Sequence, residues 1–169
     1  MKALKIVLIV AAVLIVLVVG GVVLLFVVAG NRNANYWNYT QTGGEIEARY
    51  TALGSSEVSY AEYDAKDEII GKYAVWYPDD LKSSGSKYPV VIFANGTGST
   101  SATYKAFLEH LSSWGFIAVG NNDQNTRTGA SLEETIEFLM QENENEDSIF
   151  YHKMVDYLKK ALIYGHTSR

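Results

Sequence analysis

From Ile6 to Ala29 the chain runs for 24 residues without a charged or strongly polar side chain. A helix of that length measures about 36 Å at about 1.5 Å per residue, and a bilayer's hydrocarbon core is about 30 Å thick. The run is therefore long enough to cross with some tilt. A cleavable signal peptide has an apolar core of about 7–15 residues followed by a small-x-small site. This run is longer, and no clear site of that kind precedes Asn31. Residues 1–30 read as a cytoplasmic tip and an uncleaved transmembrane signal anchor, in contact with membrane lipid through residues 6–29. Lys2 and Lys5 precede the run, and Arg32 is the one cation close behind it. That bias predicts a single-pass protein of the cell membrane, with a cytoplasmic N-terminus and everything after Gly30 outside.

The part beyond Gly30 carries 12 Lys and Arg against 19 Asp and Glu, a formal charge of −7. An acidic domain of this kind is a poor nucleic-acid binder, so no nucleic-acid partner is expected. The chain has no cysteine, which removes disulfides and thiolate metal sites. Stability must then come from a hydrophobic core. The acidic run 141–148, "QENENEDS", reads as a solvated helix end and loop and not as a metal site. No metal or cofactor is implied.

Residues 31–44, rich in Asn, Gly and Thr, read as a juxtamembrane linker. Its Tyr36, Trp37 and Tyr39 suit either the headgroup level or packing on the domain. Three short runs follow: "IEARYTA" (46–52), "EVSYAEY" (57–63) and "GKYAVWYP" (71–78). Their alternation predicts antiparallel, half-exposed strands, the first two flanking a turn at Gly54-Ser55-Ser56. From residue 89 the pattern changes. "PVVIFANG" (89–96), "FIAVG" (116–120) and "ALIYG" (161–165) are continuous apolar runs, as in strands covered on both faces. Between the first two, Tyr104, Phe107, Leu108 and Leu111 recur at helical spacing, with Gly115 as a C-terminal cap. Between the last two, Ser131 and Glu134 have capping-box spacing ahead of Ile136, Leu139 and Met140. Strand, helix, strand, helix, strand predicts an α/β fold with a parallel sheet and right-handed crossovers.

Four stretches carry a resemblance: "YPVVIFANGTG" (88–98), "YKAFLEHLSSWGFIAVGNND" (104–123), "TGASLEETIEFLMQEN" (128–143) and "IYGHTSR" (163–169). Together they resemble the N-terminal half of an α/β-hydrolase, nearest to the dienelactone hydrolase, chlorophyllase and polyester-hydrolase branch. The resemblance covers residues 45–169, which would form a partial hydrolase domain ending at the nucleophile elbow. It implies antiparallel leading strands followed by a parallel β-α-β-α-β unit, with 90–94 lying between 116–120 and 161–164. It also implies a serine-type nucleophile on a sharp strand-to-helix turn, and two backbone N–H donors for the oxyanion. By that carry-over the loop donor is Thr97, after Gly96. The second donor is Ser168, the residue after the nucleophile slot. Gly96, Gly165 and His166 support the elbow.

The departures concern chemistry. The nucleophile slot falls on Thr167, whose β-branch resists the strained turn, and the elbow's second glycine falls on Arg169. Ser168, the weaker alternative nucleophile, is one residue out of register. The fold's triad order is nucleophile, acid, histidine. The histidines here are His110, His152 and His166, and none follows the slot. His110 reads as a packing or surface residue and His152 as a loop residue. Asp123 is misplaced for orienting a catalytic histidine. The expectation is a truncated membrane-anchored carboxylic-ester hydrolase, inactive as these 169 residues, with an ester substrate only for a complete parent enzyme. The alternatives are a non-catalytic membrane-anchored binding module, and a small active hydrolase using Thr167 or Ser168 with an unusual base.

Overall fold

An all-apolar run of helix-compatible residues forms one long helix, α1, over Lys2–Ala34 in the computed structural model, which describes residues 2–40, 43–155 and 163–165. Within Lys5–Arg32 an 18-residue stretch has a mean hydropathy of 3.4, and none of that stretch is buried. The helix passes the expected boundary at residue 30 by four residues and gives way to a single 3₁₀ turn at Tyr36–Asn38. The expected linker 31–44 is thus partly helical.

The expected strand at 46–52 is instead a helix, α2, over Glu45–Thr51. Ile46, Ala48, Tyr50 and Ala52 alternate, but Ile46 and Tyr50 are also one helical turn apart, and Glu, Ala and Arg are good helix formers. β1 (Val58–Asp64) takes β2 (Lys72–Pro78) as its antiparallel partner from Val58↔Pro78 to Asp64↔Lys72, and its other edge carries no strand among the described residues. Local helical hydrogen bonds, such as Ala52 N–H to Ala48 O at 3.2 Å, satisfy the backbone instead.

The apolar runs become β3 (Val90–Ala94), β4 (Ile117–Asn121) and β5 (Ile163–Gly165). The sheet order among the described residues is β1-β2-β4-β3-β5. β3 is parallel to both β4 and β5, and β2 meets β4 antiparallel. The central position expected for 90–94 is the one observed.

Helices α3 (Lys105–Ser113) and α4 (Ala130–Glu144) cover opposite faces of this sheet. On the α3 side Leu108 packs with Ala74, Trp76, Phe93 and Ala118. On the other side Leu132 and Leu139 pack with Val75, Ile92, Ala94, Ile117 and Val119, together with Phe150 and Met154 beyond α4. Consecutive strand residues therefore feed the two cores in turn, which is why these strands read as unbroken apolar runs.

Gly115 ends α3 as expected. Its φ is +89°, its N–H donates to Ser112 O at 3.0 Å, and Phe116 N–H donates to Leu111 O at 3.3 Å. That pair of bonds is a Schellman cap. A Cβ at Gly115 would meet nothing within 4 Å, so Gly115→Ala adds only the left-handed backbone cost, about 1–2 kcal/mol. Urea unfolding should show a loss of about 1 kcal/mol at unchanged m-value; an unaltered midpoint would contradict the cap assignment.

The expected capping box does not form. α4 starts one residue before Ser131, capped by Gly129 at φ +81° without any side-chain cap bond. Ser131 is thereby drawn inside the first turn. Its buried Oγ has no partner among the described residues, while its carbonyl accepts from Thr135 Oγ1 at 2.6 Å and Asn121 Nδ2 at 3.3 Å.

Candidate active site

The chain leaves β3 toward α3 on one face of the sheet and leaves β4 toward α4 on the other. Divergence of this kind opens a crevice at the carboxyl ends of the strands, where open α/β sheets bind ligands. Here the crevice floor is a buried polar network. Asn95, just past β3, donates from Nδ2 to Asn121 O at 2.7 Å and to Asp123 O at 2.9 Å. Asn121, fully buried at the end of β4, donates to Thr135 Oγ1 at 3.1 Å and accepts from Asp123 N–H at 3.1 Å. Thr126 Oγ1 donates to Asn95 O at 2.9 Å, so the two loops are stitched together.

On this floor stands the loop of Gly96 and Thr97. Ser99 N–H donates to Gly96 O at 3.0 Å, closing a four-residue turn whose third residue, Gly98, has φ +76°. A positive φ at that position is the requirement of a type II turn. Gly98 N–H is taken by Gln124 O at 2.9 Å, and Gly96 N–H by the Tyr104 hydroxyl at 3.2 Å. Thr97 is exposed, and its N–H has no partner among the described residues. Of the N–H groups in this turn it is the one left open.

β5 lies directly beside β3, with Ala94 level with Gly165. Parallel neighbours lie about 4.8 Å apart, so the chain leaves both strands side by side and in the same direction. His166, Thr167, Ser168 and Arg169, which carry the expected elbow, lie outside the described residues. Gly165 is the last residue of β5.

The other two histidines are engaged elsewhere. His110 is 8% exposed on α3; its Nδ1 lies 2.7 Å from the Tyr36 hydroxyl, and the rings stack at 5.9 Å. Burial pushes the Tyr36 phenol up, so it stays protonated and able to donate to that nitrogen. His152, at φ +54°, donates its N–H to Asn143 O, beside Lys153, whose carbonyl accepts from Tyr88 N–H. Tyr88 precedes β3, so His152 is at the opposite end of the strand from Thr97. The Asp123 carboxylate accepts from Asn125 N–H at 2.7 Å and faces a cavity of about 240 Å³ shared with Asp67, Ser131 and Glu134. Among the described residues no group of three His, Asp or Glu side chains is placed to hold a metal ion.

Asn95 and Asn121 are the residues that the sequence reading passed over. Their signal is a polar residue terminating each continuous apolar run, in "VVIFAN" and "IAVGN".

The family model of platelet-activating factor acetylhydrolase, isoform II, matches residues 71–162, more than half of the 169. The chain belongs to this family. It is a family of the α/β-hydrolase superfamily, which is the superfamily that the four stretches resemble. It is not one of the three named as the nearest branch. The match spans β2 to the residue before β5, so the turn at Thr97 and the Asn95–Asn121 network lie inside it, while residues 163–169 lie outside. No curated protein matches the chain.

Proposed function

We propose that this acetylhydrolase-family chain is the membrane-anchored, oxyanion-bearing part of a carboxylic-ester hydrolase, and that residues 1–169 alone do not turn over ester. The observation that carries the reading is the open Thr97 N–H, held in a fixed turn beside the strand that leads into the nucleophile slot. A donor preset in this way stabilises the negative oxygen formed when an acyl carbon is attacked, and needs no reorganisation to do so. Thr97 is the loop donor and Ser168 the second; Gly96, Gly165 and His166 shape the turns that present them. Thr167 occupies the nucleophile slot without an activating base. The family name is that of an acetylhydrolase, which makes an acetyl ester the substrate class to test.

An acid and a later histidine complete such a site, and the triad order puts them after the slot. Reading the encoding DNA beyond codon 169 in all three frames tests this. The expected result is a glycine-rich continuation of the elbow with a later Asp and His in one frame. Absence of such a pattern from every frame would sink the reading of a partial hydrolase.

The anchor supplies the location: α1 spans the bilayer, the N-terminus is cytoplasmic and the domain lies outside. The support is the apolar helix with Lys2 and Lys5 before it. Protease added to intact cells should remove the domain completely, and a protected domain would contradict the orientation.

A further inference from the structure

α2 buries none of its residues. Ile46 and Tyr50 stand at i and i+4 on α2, Leu53 follows two residues past its end, and the three are 77%, 59% and 43% exposed. Burying each would gain about 1.5–3 kcal/mol, so a cover for them is favoured.

The contacts of α3 indicate which. His110 holds Tyr36, which follows the end of the apolar helix by two residues. Four residues further along, Trp114 holds the α2 segment: its ring lies 5.4 Å from that of Tyr50, and its Nε1–H donates to Ala52 O at 3.0 Å. Gly54 N–H adds a bond to Ser113 Oγ at 2.8 Å. Four residues of helix advance about 6 Å. The α2 segment is therefore pinned within about one helical turn of the residue that pins the end of α1. The opposite end of the domain is marked by Glu68, two residues before Ile70, whose carbonyl accepts from Asn122 N–H beyond the carboxyl end of β4.

We infer that the Ile46–Tyr50–Leu53 face lies in the headgroup layer of the bilayer that α1 crosses, and seats the domain on the membrane. The inference rests on the anchored reading above. An aliphatic and an aromatic side chain beside a span suit the interface, where an amphipathic ring has one apolar and one wet side. The seat also fixes the orientation: α3 runs back along the strands, so its Trp114 end faces lipid, and the Thr97 end of the sheet faces water.

The absence of cysteine makes single-site labelling clean. An environment-sensitive fluorophore is placed on Leu17→Cys, Ile46→Cys, Leu53→Cys or Glu68→Cys of the full chain. Each protein is reconstituted in phosphatidylcholine–phosphatidylglycerol vesicles, with and without lipids carrying a headgroup-level spin-label quencher. Ile46 and Leu53 are exposed, so the labels leave the fold intact. The expected result is severalfold stronger headgroup quenching at 46 and 53 than at 68, with Leu17 reached by an acyl-chain quencher. An unquenched Leu17 overturns the anchor itself. A quenched Leu17 with unquenched labels at 46 and 53 overturns only the seat, as does equal headgroup quenching at 68. Energy transfer between copies at 46 without lipid quenching would assign the face to a second copy and likewise overturn the inference.

Discussion

Asn121→Ala should cost the domain about 3 kcal/mol, the largest loss expected from any single polar substitution in the sheet. Asn121 is fully buried, and its side chain serves four groups: Asp123 N–H, Asn95 Nδ2, Thr135 Oγ1 and Ser131 O. Alanine leaves Asp123 N–H without its acceptor, and a buried unpaired group costs about 1–3 kcal/mol. The space vacated by the amide adds a cavity term. Against a total of about 5–15 kcal/mol the sum is severe. Asn121→Asp should be worse, since it turns an acceptor toward Ser131 O and buries a charge near the Asp123 carboxylate. Urea unfolding followed by tryptophan fluorescence measures both, with Thr103→Ala at an exposed position as the reference. A change below about 0.5 kcal/mol for Asn121→Ala, the range of ordinary surface substitutions, would contradict the network.

The same network shows where the sequence could be read and where it could not. β3 and β4 were legible because strands covered on both faces must be apolar at every position, and few other elements are. Leu108 and Leu111 announced α3 by their spacing, and Gly115 announced its end. α2 was misread because a seven-residue run with apolar residues at 46, 48, 50 and 52 satisfies both periods. Its Glu, Ala and Arg are good helix formers, and the open edge of β1 beside the sheet does not draw it into a strand. Ser131 was misread because its distance to Glu134 fits a capping box, whereas α4 begins earlier, at a glycine with positive φ. At the candidate site, Thr97 could be placed from the resemblance. The engagement of its neighbours' N–H groups, with its own left open, depends on Tyr104 and Gln124, which are distant in sequence. The pairing of Tyr36 with His110 joins residues 74 apart and leaves no local signature.

The second large effect concerns catalysis. A hydroxyl is a weak nucleophile until a base takes its proton. His110 is held by Tyr36, and His152 sits at the far end of β3 from Thr97. By the resemblance, His166 precedes the slot in the position that supports an elbow. On the proposed reading, none of the three activates Thr167. Loss of the nucleophile or the histidine of a working triad costs about 10⁶-fold in rate, and what remains comes from the oxyanion donors and binding. The most direct measurement incubates the purified full chain, in detergent, with p-nitrophenyl acetate and with a fluorophosphonate probe. The account predicts no probe adduct on Thr167 or Ser168, and turnover about 10⁶-fold below that of a complete triad enzyme. Saturable turnover at an ordinary enzymatic rate, with an adduct on either residue, would contradict it.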